Sequence, residues 1–205
     1  MKTRYGKGSV VVITGATNAT GFAYAERFVK EGFKLICIVE HDGAEAQRLK
    51  ELYPGSCEIM QFDFAGTSDY HDYVQLCNLV EVKAKEIGGD ISVLVNNVER
   101  MDPRQGKIYK ATDEELIQTV NINTCPAVYM SRLLGPKMKE RSEKSAIITM
   151  SSYYSKWPVY NLPVYSAGKA FTEYFSEVVS IENPDMDILT VMGMPVRSKR
   201  NPNGV

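Results

Sequence analysis

No segment of the chain approaches the ~20 consecutive apolar residues needed to cross a bilayer, and the start, MKTRYGKGSV, has too short an apolar run for a secretory signal. Charge of one sign is also lacking. With 24 Lys and Arg against 25 Asp and Glu, the net charge is −1, so the basic field that recruits nucleic-acid phosphates is missing and no nucleic-acid partner is expected. The short basic stretch Arg197, Lys199, Arg200 reads as a solvated end. Histidine is scarce, only His41 and His71. The four cysteines, Cys37, Cys57, Cys77 and Cys125, form no C-x-x-C pair, so no metal site is expected and the cysteines read as reduced thiols. Repeats, low-complexity tracts and linker-like stretches are absent too, which leaves one domain, residues 1–205, as the simplest organisation for 205 residues. A soluble, cytoplasmic protein follows as the expectation.

What is present is a regular series of short apolar runs: SVVVIT (9–14), KLICIV (34–39), CEIMQF (57–62), ISVLV (91–95), AIITM (146–150) and DILTVM (187–192). Most are continuously apolar rather than alternating, as strands buried on both faces of a parallel sheet are. Helical patterns at 21–31, 44–52, 68–87, 113–140 and 164–181 lie between them. Thr112 followed by Asp113, Glu114 and Glu115 marks a helix start, with a capping hydroxyl and acids at the positive end of the dipole. This alternation predicts βαβ units and an α/β, Rossmann-type doubly wound parallel sheet flanked by helices. Ligands in such sheets bind beyond the carboxyl ends of the strands, so the chemistry is expected there.

The first strand runs into TGATNATG (14–21), a glycine-rich turn opening a helix. Such a turn brings backbone amides and a helix dipole onto a pyrophosphate. The spacing is T-G-x-x-x-A-x-G, not G-x-G-x-x-G, and a merely tight turn is the alternative. Thr14, Gly15, Thr17, Asn18, Thr20 and Gly21 are the candidate contacts. Glu40 stands 25 positions past Gly15, close to the ~20 at which an acid meets the adenosine ribose diol. A carboxylate there repels a 2′-phosphate and no arginine immediately follows, so NAD is favoured, with NADP left open. Asp63 after the third strand and Asn96 and Asn97 after the fourth are further candidates for the cleft, although Asx residues also serve local turns.

VYSAGKA (164–170) places Tyr165 and Lys169 four positions apart, on one face of a predicted helix. Twelve tyrosines make a chance match of this spacing unremarkable, so context must decide. Ser152 supplies it, thirteen positions before Tyr165. Free tyrosine ionises near pH 10, and lowering that to neutrality costs about 4 kcal/mol. A lysine ammonium at ~4 to 5 Å and an effective dielectric of ~20 offers about as much. Serine as a covalent nucleophile is the rival reading, but no G-x-S-x-G elbow surrounds Ser152.

These pieces together, TGATNATG, Asp63, Asn96 and Asn97, Asn123 within VNINT, Ser152 and YSAGK, resemble the short-chain dehydrogenase/reductase family over about residues 9–195. RYGKGSVVVITGAT and the tyrosine segment look most like the branch of 17β-hydroxysteroid dehydrogenases and very-long-chain 3-oxoacyl-CoA reductases. The resemblance implies an NAD(P)-dependent oxidoreductase moving hydride between nicotinamide and a hydroxyl or carbonyl of a lipid-like substrate, steroid or 3-oxoacyl. It makes Tyr165 the acid/base, Lys169 its partner and holder of the nicotinamide ribose, and Ser152 the orienter of the substrate oxygen. Asn123 fixes a relay water. Pro195 adds a cofactor contact, and a homodimer on the helices bearing Asn123 and Tyr165 is a further implication.

Two features depart from the family pattern. Asn-Asn-Ala-Gly reads Asn96, Asn97, Val98, Glu99, and Pro195 lacks its following glycine. The chain also stops ten residues after Pro195, so a C-terminal strand and substrate lid are expected to be missing. An upstream membrane anchor, with endoplasmic reticulum association, is a corresponding expectation at the other end. A non-catalytic dinucleotide-binding or interaction protein is the alternative these departures raise.

Overall fold

The computed structural model describes residues 1–101 and 107–194; Pro195 and the basic stretch after it lie outside the described residues. Six strands, β1 (Val10–Thr14), β2 (Lys34–Val39), β3 (Cys57–Gln61), β4 (Ile91–Asn96), β5 (Ala146–Ser152) and β6 (Asp187–Gly193), form one sheet in the order β3-β2-β1-β4-β5-β6. Every pairing is parallel. The helices are a single turn α1 (Lys2–Tyr5), then α2 (Ala19–Lys30), α3 (Ala44–Leu52), α4 (Tyr70–Glu86), α5 (Asp113–Lys139) and α6 (Pro163–Glu182). Strand order reverses between β1 and β4, and a crevice opens there beyond the strand ends.

The continuous apolar runs are explained by burial on two sides. In β1, Val10 and Val12 enter a core under α4 and α5 with Ile36, Leu94 and Tyr73, while Val11 and Ile13 enter the opposite core under α2 and α3 with Phe28 and Leu49. The edge strands β3 and β6 are only partly covered, and Leu189 and Met192 of β6 remain exposed. Cys37 and Cys57, twenty residues apart in the chain, meet across β2 and β3 with sulfurs 3.7 Å apart. All four cysteines are free thiols. Among the described residues no helix is long and apolar enough to cross a membrane, and no cluster of three potential metal ligands exists.

Helix α5 starts as its sequence predicts: Thr112 Oγ1 accepts from Glu115 N at 3.2 Å and Glu115 Oε2 accepts from Thr112 N at 2.9 Å, a reciprocal capping box. Helix α2 begins two residues earlier than the hydrophobic pattern suggests, because Asn18 caps it, accepting from Gly21 N at 2.8 Å. The N-terminal turn α1 has no apolar periodicity to announce it. It is strapped to the sheet edge by Arg4 Nη2 and Tyr5 Oη, 2.6 and 2.8 Å from the Asp187 carboxylate.

The hydrogen bond from Arg4, helped by that from Tyr5, holds Asp187 down from 3.8 to about 2, against a smaller opposing effect of burial. A depressed carboxyl contributes stability above its unfolded value, about pH 4, and loses it as pH falls through about 2. Because Arg4 is exposed, the effect is small. Asp187→Asn is expected to lower the thermal midpoint by no more than about 2 °C at pH 7. The difference from the parent should vanish near pH 2, as followed by circular dichroism.

Candidate active site

The cleft beyond β1 is built by a turn whose two glycines leave no room for a side chain. Gly15 sits at φ 65°, a left-handed conformation, and a Cβ there would lie 2.9 Å from Val98 Cα. A Cβ on Gly21 would lie 2.5 Å from Gly15 O. The turn is fastened to the end of β4 by Asn97, whose Nδ2 donates to Thr14 O (3.0 Å), Gly15 O (2.9 Å) and Asn18 Oδ1 (3.3 Å). Thr14 Oγ1 returns the contact, accepting from Asn97 N at 3.0 Å and Val98 N at 3.1 Å. Thr14 is therefore a buried brace rather than a cleft wall, and of the two candidate asparagines Asn97 does more to shape the turn than Asn96. Two adjacent asparagines look alike in sequence; strand alternation decides which faces the turn.

A cleft of about 500 Å3 runs from Glu40 and His41 past Gly15, Thr17 and Asn18 to Glu99. The N-terminus of α2 faces it, with Thr20 on that first turn. Arg48 of α3 also lines it, its guanidinium 5.1 Å above the Phe22 ring. Sequence reading missed Arg48 because it is eight positions past Glu40; one turn of helix brings it back to the same wall. Asp63 stands apart from this lining, its Oδ1 accepting from Ala65 N and Gly66 N at 3.0 Å each, a local turn. Asn96 points away into the protein, donating to Ser131 Oγ at 3.1 Å.

At the far end, β5 and α6 bring the remaining residues together. Ser151 Oγ donates to Lys169 O at 3.0 Å, fixing α6 against the strand. Just beyond the strand, Ser155 (2.5 Å) and Lys156 (2.6 Å) both bind the buried Glu173 of α6. Ser152 is the serine turned to Tyr165, and Tyr154 packs edge-on against the same ring at 6.4 Å. Tyr165 and Lys169 lie as their spacing predicts, with Nζ 5.7 Å from the ring centroid. Both are buried, with relative exposures of 3% and 1%.

Glu99 stands between them. Its Oε2 accepts from Lys169 Nζ at 2.7 Å and from Tyr165 Oη at 3.0 Å. The expectation that Lys169 draws down the tyrosine is therefore not met in this structure. Burial first, and then the negative charge of Glu99, push Tyr165 well above an ordinary phenol; a hydrogen bond with Ser152 pulls the other way without prevailing. Asn123 is committed to backbone, donating to Arg100 O (2.9 Å) and Thr119 O (2.8 Å) and accepting from Arg100 N (3.3 Å). A cavity of about 10 Å3 lies behind Lys169, lined by Asn96, Asn123 and Thr149 among others, about the space of one water.

A model of the short chain dehydrogenase family matches residues 9–196. The chain belongs to that family. Its relatives include the very-long-chain 3-oxoacyl-CoA reductase of Anas platyrhynchos, 33% identical over 195 residues that cover 93% of this chain and 60% of the relative. This is the branch to which the sequence segments point. The inactive hydroxysteroid dehydrogenase-like protein 1 of Homo sapiens is 29% identical over 182 residues, covering 87% of this chain and 52% of that one. Among solved structures, a short-chain dehydrogenase from Streptomyces avermitilis superposes with a TM-score of 0.78 at 25% identity, over 91% of this chain and 65% of that one. The chain thus spans about 60% of the length of the curated reductase it matches. At the site, Glu99, like Val98 beside it, departs from the family pattern.

Proposed function

We propose that the chain is an NAD(P)-dependent oxidoreductase that reduces a carbonyl, or oxidises the corresponding hydroxyl, on a lipid-like substrate of the 3-oxoacyl or steroid class. The observation that carries this reading is Tyr165, with Ser152 and Lys169 beside it, joined through Glu99 to a cleft that runs past the Gly15 turn. The 3-oxoacyl-CoA reductase relative supports the substrate class. A pyrophosphate suits the glycine turn at 15–18 and the positive end of α2 that follows it. Bound there, the dinucleotide supplies the hydride. Ser152 then holds and polarises the substrate oxygen, and Tyr165 donates its proton to that oxygen. Lys169 keeps the phenol oriented and stabilises its conjugate base once the proton has left. Asn123, with Asn96 and Thr149, lines the space through which a water replenishes the proton.

Glu40 at the rim favours NAD, whose ribose hydroxyls donate to a carboxylate. A second reading, NADP, is favoured by Arg48, a guanidinium on the same cleft able to meet a 2′-phosphate. Arg48→Ala discriminates them in a fluorescence titration with both reduced nicotinamides. If the phosphate is read there, affinity for NADPH falls about tenfold while that for NADH stays within about twofold. Equal behaviour of the two leaves NAD as the cofactor. The function as a whole is tested by consumption of either nicotinamide with a 3-oxoacyl thioester and a ketosteroid, with the Tyr165→Phe chain as the blank.

A further inference from the structure

One carboxylate oxygen serves two partners at the centre of the site. Lys169 is buried, and besides Glu99 Oε2 its Nζ donates to Met150 O at 3.0 Å. Glu99 is thus the counter-charge that allows the ammonium to remain out of water. The backbone carrying it is fixed on both sides. Val98 packs on Gly15, and Arg100 is held by Asn123 through its N–H and C=O and by Gln118 Oε1 at 2.8 Å from its guanidinium. The Glu99 side chain is not so confined: it is 38% exposed and lies in the cleft beside Gly15, Thr17 and Asn18. Rotation about its own bonds is enough to move it out while the loop stays in place.

A ligand running from Glu40 to Tyr165 must pass this side chain. The hydroxyls of a ribose compete for the same ammonium donors, and a pyrophosphate on the Gly15 turn repels the carboxylate. We propose that Glu99 is a built-in competitor for the nicotinamide end of the dinucleotide: in the free chain its carboxylate clamps Lys169 and Tyr165, and a bound dinucleotide displaces it. Glu99 then sets the affinity for cofactor and couples cofactor arrival to release of the proton donor. This rests on the dinucleotide reading of the cleft.

The test compares the parent chain, Glu99→Ala and Glu99→Gln with two probes. One is NADPH or NADH, which reaches Lys169; the other is 5′-ADP, which occupies only the adenosine half. If the clamped arrangement holds about nine in ten free molecules, its removal tightens dinucleotide binding by about tenfold. That gain is expected for Glu99→Ala, with a smaller one for Glu99→Gln, which keeps an acceptor for Lys169 and secures folding. Affinity for 5′-ADP should be the same in all three. Unchanged dinucleotide affinity alongside normal 5′-ADP binding overturns the proposal and leaves the dinucleotide reading standing. Failure of every chain to bind 5′-ADP removes that reading instead, and a ligand-free measurement then decides the clamp. The groups facing Tyr165 are Glu99, Lys169, Ser152 and Tyr154. With tyrosine ring carbons labelled and the Tyr165 resonance assigned by its loss in Tyr165→Phe, its titration should move to lower pH in Glu99→Ala. No movement overturns the clamp.

Discussion

Tyr165→Phe is expected to lower turnover by about a thousandfold while leaving dinucleotide affinity within about twofold. Loss of a positioned proton donor costs about 10² to 10⁴ in rate, and here no neighbouring group can substitute. Lys169 is buried and bound to Glu99 and Met150 O, and Ser152 is engaged by Tyr165 itself and by Tyr154 N. The substitution removes one hydroxyl and leaves Glu99 with its lysine, so folding should be nearly unaffected. Steady-state rates and a nicotinamide fluorescence titration measure the two quantities. Turnover unchanged by the substitution would remove Tyr165 from the chemistry. The sign of the pH dependence follows from the raised Tyr165. A phenol held above its ordinary range by burial and by Glu99 keeps its proton through neutrality, so it is poised as an acid. Followed as kcat/KM, which reports the free chain in which Glu99 still faces Tyr165, the reductive rate should show no decline from Tyr165 ionisation across about pH 6 to 9, whereas the oxidative direction, which needs the phenolate, should rise with pH.

Gly21→Ala should be the most damaging of the single-methyl additions on the described chain near the cleft. The new Cβ would meet Gly15 O at 2.5 Å, Ala16 Cα at 2.8 Å and Asn97 Nδ2 at 2.8 Å. Two of these three are backbone atoms, and the third is the amide that ties the turn to β4, so none can retreat cheaply. Overpacking of this kind costs about 1 to 3 kcal/mol, which lowers the thermal midpoint of a domain of this size by roughly 2 to 12 °C. Because the turn itself must shift, affinity for 5′-ADP should fall by about tenfold or more as well. Gly135 of α5 supplies the contrast. A Cβ there meets nothing within 4 Å, and Gly135→Ala is expected to raise stability by up to about 1 kcal/mol through helix propensity. Thermal unfolding of the two variants should therefore move in opposite directions.

Glu99 joins these predictions to the competing view of the chain as a degenerate enzyme. A carboxylate on the Tyr165–Lys169 pair in the ligand-free chain does not by itself make the site inactive, since it is partly exposed and carried by a rotatable side chain on a fixed backbone. It does change what must happen first. The cofactor has to move Glu99 before Lys169 can act on Tyr165, so a weak apparent affinity is the expected signature rather than a missing reaction.

Sequence by itself determined the architecture. Strands buried on both faces must be continuously apolar, and helices with one buried face must repeat at 3.6 residues, so six runs and five patterns predict the parallel sheet. The observed elements differ from those runs by one or two residues at most ends, where caps such as Asn18 rather than hydrophobicity set the boundary. The order of the glycine turn, Ser152, Tyr165 and Lys169 was equally legible, because each is tied to an element end or a fixed helical spacing. What only the tertiary structure decided were the contacts between residues distant in the chain. Asn97 rather than Asn96 locks the turn, Arg48 returns to the wall of Glu40, and Asn123 holds Arg100. Val98 and Glu99 were visible as departures from the family pattern. That the Glu99 carboxylate reaches across 66 residues to Tyr165, and that burial first and then this carboxylate raise the phenol instead of lowering it, is a matter of distance and burial, which no spacing along the chain encodes.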